Sequence, residues 1–274
     1  MYVIYFVWFL YLCYDLIMKT VELQDILDND EILNKTFFHF APKTMFERIK
    51  KDGFKAEKGK NAIGVEENPK VFFVEGPINL LRIADVWIRW IGWNIGKEKY
   101  LGKNNENWSK ERFYMFKNDF ANGSIFTEEI INETYARFLE MCKSFEYFTL
   151  DLEEGKDFIF DDIDEVKRNS FNKDNLSFSP AFMMMYGPYS DFTNIQTDKW
   201  NLHTFPYRGV SLDKISHVVS SEYGKDFNML NMIVDIRRKC LSNPEKKKYI
   251  DELVFLNDFL EKTHSLEKDT TKTV

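Results

Sequence analysis

Histidine is the side chain whose proton leaves near neutral pH, so the four in this chain mark where acid–base or ribose-and-phosphate chemistry would sit first. His39 stands in FFHF (37–40), and His203 stands in WNLHTF (200–205). Brought to one mouth, the two imidazoles could donate hydrogen bonds to ribose hydroxyls or to a pyrophosphate. His203 reads equally well as a hydrogen-bonded structural residue. His217, beside Val218 and Val219, reads as structural, and His264 in the polar tail reads as solvent-exposed. Between the two aromatic strings at 37–40 and 71–74 runs KAEKGKNAIGVEENPK (55–70), with Lys55, Lys58 and Lys60 among glycines 59 and 64. Backbone amides and a lysine in such a loop can hold a nucleotide phosphate. Three lysines are also what a plain solvated loop contains.

Other chemistries find little support. No Walker or dinucleotide fingerprint occurs, which removes the P-loop and Rossmann readings. The acidic run from Asp151 to Glu165 lacks the glycine and terminal glutamate of a calcium loop, so it reads as a solvated edge and no metal is expected. Cys13, Cys142 and Cys240 are odd in number and lack metal-ligand spacing, which fits free thiols in a reducing, cytoplasmic compartment. A formal net charge of −7 excludes coating nucleic acid through bulk positive charge.

The elements that must position these residues follow from patterning. With 44% hydrophobic and 16% aromatic residues over 274 positions, the chain can bury a sizeable core. The first 18 residues hold an apolar run of 14 broken by Asp15, without a basic start. That run admits three readings: a buried strand or helix, an upstream extension before Met18, or a weak membrane anchor. Residues 20–35 place apolar side chains at helical intervals with a break near Asn29. FFHF reads as a short buried strand. Thr44 is the expected N-cap of the helix MFERIKKDGF, with Gly53 as its stop. VFFV (71–74) is a second strand, closed by Gly76-Pro77. Residues 78–96, 110–121 and 127–148 read as helices, the last starting at Thr127, and together 78–148 form a helical insertion. Trp87, Trp90 and Trp93 at helical spacing could stack bases, but that spacing is read as packing. Segment 149–168 reads as a strand or hairpin leading into a helix. Residues 176–223 read as loop and strand, and helices close the chain at 226–241 and 245–262. The expected organisation is an apolar segment 1–18, one α+β domain over 19–265 with the insertion, and a flexible tail at 266–274.

The strings HFAPKTMFERIKKDGF and GVEENPKVFFVEG carry a resemblance to ADP-ribosyltransferase-like proteins, a group that includes NAD-using toxins and polymerases and RNA 2′-phosphotransferases. His39 corresponds to the ribose-contacting histidine at a strand end. Phe46, Ile49, Gly53 and Phe54 correspond to the helix and turn that follow, and Phe72-Phe73 to the second strand. The resemblance spans residues 36–76 and implies a split antiparallel sheet with a helical insertion and C-terminal helices. It implies NAD as a substrate, a nucleotide-binding site, and transfer of ADP-ribose to a protein or nucleic-acid acceptor, with no membrane partner. On it, His39, His203 and Glu222 are the catalytic candidates. Phe40, Lys60, Asn61, Phe72, Phe73, Asn201, Thr204 and Arg208 are the candidates for holding the nucleotide. The family supplies a catalytic glutamate from a late strand. Here WNLHTFPYRGVSLDKI offers Asn201, His203 and Thr204 instead, and Glu222 in SSEY is the one late glutamate on a strand-like segment. That departure leaves open a binding module of the same fold without the chemistry.

Overall fold

The computed structural model describes residues 18–55, 72–104, 106–153, 171–172, 177–178, 202–204 and 210–270. It is an α+β structure built on a six-stranded mixed sheet. In chain order come β1 (Lys19–Glu22), α1 (Leu23–Leu27), α2 (Asp30–Lys35), β2 (Phe37–Pro42), a 3-10 turn (Lys43–Met45) and α3 (Phe46–Asp52). Then follow β3 (Phe72–Glu75), α4 (Gly76–Leu101), α5 (Lys110–Ala121), α6 (Glu128–Lys143) and β4 (Phe145–Leu150). The two-residue strands β5 (Phe171–Asn172) and β6 (Ser177–Phe178) pair with each other. β7 (Leu202–Thr204), β8 (Ile215–Val219), α7 (Met229–Leu241), α8 (Pro244–Asp251) and α9 (Val254–Thr270) complete the chain.

The sheet order is β1-β8-β4-β2-β3-β7. Every pairing in it is antiparallel except β1 with β8, which run parallel. Alternation along the strands sends two sets of side chains to opposite faces. Phe38, Val74, Tyr147 and Val218 enter one core with α4, α6, α7 and α9. Ala41, Phe73, Phe148 and Ile215 enter a smaller one with Ile49 and Phe54. Among the described residues, one face is therefore covered by a thick helical layer and the other by the short α3 and its turn. The long helix α4 organises the thick layer. Its fully buried Leu80, Leu81, Ala84, Ile88 and Ile95 form one stripe, and it packs against α5, α6, α7 and α9.

Several expectations are met at residue level. The helical break falls at Asn29, whose side chain accepts from the backbone N–H groups of Glu31 and Ile32 to cap α2. Thr127 caps α6 by accepting from Ile130. Gly53 ends α3 at φ 71°, and α5 covers 110–121. Others change. Thr44 does not cap α3: the chain enters that helix through the 3-10 turn, so Thr44 already lies inside a turn. Residues 19–22 are a strand rather than part of the first helix. Residues 145–148, read as the end of a helix, are the start of β4, which lies between β8 and β2. The closing helix divides at Leu253 into α8 and α9. Trp87 packs on Phe40 and Phe145, whereas Trp93 packs on Phe116 and Phe120, so the tryptophans serve two different partners. Residues 1–17 and 154–170, and most of 176–209, lie outside the described residues. Among the described residues no helix is long and apolar enough to cross a membrane.

Candidate functional site

The sheet register gathers the histidines. His39 on β2 pairs with Phe148 on β4, Phe148 pairs with His217 on β8, and His217 pairs with Thr20 on β1. On the other side, Phe38 pairs with Val74, which sets Phe73 of β3 next along the register at the level of His39. Phe73 in turn pairs with His203 on β7. Three histidine positions thus fall in one cross-strand row, separated by Phe148 and Phe73.

His39 occupies the face covered by α3 because its neighbours Phe38 and Phe40 take the helical face. Its ring meets Phe54 edge-on, with centroids 4.2 Å apart. Phe54 is fixed by the turn at Gly53 and by a two-way backbone exchange with Val210, at 2.9 and 2.7 Å. It also stands against Phe148 at 5.2 Å. Phe73 is buried against Phe37, at 5.2 Å and 87° between rings. His39 is therefore packed among aromatic rings that belong to the smaller core, with Phe54 7%, Phe73 2% and Phe148 0% exposed.

The remaining candidates divide. Phe72 and Thr204 pair with each other, one position along from Phe73 and His203. Phe40 does not join the site: alternation turns it to the helical face, where it meets Trp87 at 5.4 Å and Tyr147 at 5.8 Å. Glu222 is not on a strand. β8 ends at Val219, and Glu222 lies in the following turn. There it lines a cleft of about 240 Å³ with Glu22, Leu23, Gln24, Ser220, Ser221 and Asp235. In that cleft Glu22 accepts from the Ser221 backbone N–H at 2.9 Å. Asp235 accepts from Tyr223 at 3.2 Å and from Arg238 at 2.9 Å. Burial together with the Asp235 carboxylate pushes the Tyr223 phenol up to about 12. Neither His39 nor His217 lines this cleft. Lys60, Asn61, Asn201 and Arg208 lie outside the described residues. Lys55, at the start of the lysine loop, pairs with Asp52 at 2.8 Å on the surface. His264 sits within α9 rather than in a loose tail. Among the described residues no cluster of His, Cys, Asp and Glu could hold a metal ion.

Sequence reasoning passed over one pair. Glu146 on β4 and His217 on β8 meet through Oε2 and Nε2 at 2.8 Å. Phe46 of α3 stands 4.7 Å from the His217 ring and Phe148 stands 5.5 Å from it. Glu146 pairs with Ala41 and Phe148 with His39, so Glu146 shares the face of His39, one strand over and two residues along. The run Phe145-Glu146-Tyr147-Phe148 puts aromatic side chains on both faces of the strand, so no alternation set Glu146 apart from a helix surface. No protein-family model, curated protein or solved structure matches the chain.

Proposed function

We propose that the chain is a nucleotide-binding protein of the ADP-ribosyltransferase-like kind, taking NAD against the α3 face of β2 and β3. The observation that carries this reading is the row His39–Phe73–His203, on three adjacent strands and bordered by Phe54 and Phe148. In this reading the ligand lies beside the half-buried His39, since Phe54, Phe73 and Phe148 are themselves buried in the core. The imidazole of His39 contributes a hydrogen bond to a ribose hydroxyl. The acceptor for ADP-ribose would be a protein or a nucleic acid. Free, buried Cys142 and Cys240 agree with a cytoplasmic setting.

Binding without turnover is the second reading, and the position of Glu222 favours it. A carboxylate in a separate cleft cannot steady positive charge on a ribose held at His39. Titration of the purified protein with NAD and with ADP-ribose, followed by calorimetry, tests the first reading, and release of nicotinamide separates it from the second. His39→Ala is expected to weaken NAD binding by about ten-fold, the worth of one good hydrogen bond in a partly buried site. His39→Gln, folded by the same thermal melt as the parent, controls for packing against Phe54. Absence of binding to both ligands overturns the proposal. Binding with no nicotinamide released leaves the module reading.

A further inference from the structure

The His217–Glu146 pair is built as an oriented base. An ionised carboxylate only accepts, so the proton of the 2.8 Å bond sits on Nε2 of His217. The neutral ring then carries its lone pair at Nδ1. The side chains are 16% exposed for His217 and 24% for Glu146, so the pair is shielded yet reachable. Phe46 and Phe148 restrict the ring's tilt. Among the described residues His217 is the side chain that bonds the Glu146 carboxylate. The charged or titratable side chains on the surrounding elements are Lys19 and Glu22 on β1, His39 on β2, Lys43 in the 3-10 turn, Glu47, Arg48, Lys50, Lys51 and Asp52 on α3, and Asp213 and Lys214 in the turn before β8.

The geometry points to His217 as the general base of the nucleotide site and to Glu146 as the residue that positions it, an assignment that rests on the NAD reading above. His39 lies two strands away in the same row, about 10 Å at ordinary strand spacing, with the buried Phe148 between them. In the step, an O–H or N–H of the acceptor gives its proton to Nδ1 of His217, while the acceptor's lone pair bonds to C1′ of the nicotinamide-side ribose. The C1′–N bond breaks, and its electron pair leaves on the nicotinamide nitrogen, which passes from cationic to neutral. With water as acceptor the products are ADP-ribose and nicotinamide.

The experiment follows nicotinamide release from saturating NAD between pH 5 and 9 alongside NAD affinity, on the full chain. Wild type is expected to release nicotinamide at a rate that rises with pH through one ionisation and then levels. His217→Gln is expected to lower the rate about 100-fold while affinity stays within about two-fold. Glu146→Gln is expected to lower the rate by loosening the orientation of the ring, and His217→Gln to remove the rise with pH. A packing role alone would leave the pH profile in place, and thermal melts establish that each variant is folded. Wild-type release by His217→Gln overturns the assignment. So does a wild type that binds NAD but releases nothing at any pH, a result that leaves the binding proposal standing. A wild type that binds no NAD removes both.

Discussion

At the scale of single residues, Asp85 on α4 ties that helix to the first turn of α9. It is 1% exposed, accepts from Arg89 at 2.9 and 2.6 Å, and accepts from the Leu256 backbone N–H at 2.9 Å. The last bond satisfies a donor in the first turn of α9, where no residue of that helix can do so. Asp85→Ala leaves a guanidinium and an amide without their acceptor, and unfolding in urea is expected to show a loss of about 3 kcal/mol. Asp85→Asn keeps one acceptor oxygen and should fall between the two. A loss below about 0.5 kcal/mol for the alanine variant would show that water replaces the carboxylate. Legibility at this scale was uneven. His39 was readable because the phenylalanines around it announce a buried strand. Glu146 was hidden, since a carboxylate between aromatics fits a helix surface as well as a strand's second face.

At the scale of elements, the turn after α3 holds Phe54 against His39. Gly53 holds φ 71°, and a Cβ there would meet the Val210 carbonyl oxygen at 2.4 Å. Gly53→Ala combines an unfavourable backbone region with a backbone clash, together roughly 3 kcal/mol. Its effect should be focused on Phe54, so the Phe54–Val210 exchange opens before the sheet does. Hydrogen exchange at the amides of Phe54 and Val210 is expected to accelerate far more than exchange at β4. Equal acceleration at both would refute a local role. Gly53 was legible because a helix followed by glycine has one common explanation. β4 was not, because it buries aromatic side chains on both faces and loses the period-two contrast that identifies a half-exposed strand. β1 was missed because Val21 and Leu23 fit a helical spacing as readily as a strand running into a helix.

At the scale of the whole molecule, stability is tied to alkaline pH through buried acids that must stay neutral. Burial pushes the Cys142 thiol up to about 12 and the Cys240 thiol up to about 11, from an ordinary 9.0. Burial likewise holds the phenol of Tyr147 far above its ordinary range. Below pH 9 both states keep these protons and nothing changes. Above it the unfolded chain releases thiol protons that the folded chain retains, so stability falls as pH rises, by up to about 1.4 kcal/mol per unit for each thiol. Urea midpoints should therefore decline from pH 9 upward. The double variant Cys142→Ala, Cys240→Ala should flatten the curve between pH 9 and 10, and an unchanged slope would refute the account. The class of fold was legible from alternating aromatic strings and helical stretches, but the strand order was not, since no local pattern announces that β1 will lie beside β8. That parallel contact has a consequence during synthesis. The N-terminal edge strand finds its neighbour only after roughly 200 further residues have been made, about 10–40 s of ribosome time. Until then the nascent chain can join His39 and His203 through β2, β3 and β7, but a chain released before Val219 would lack His217 or the strand that holds it.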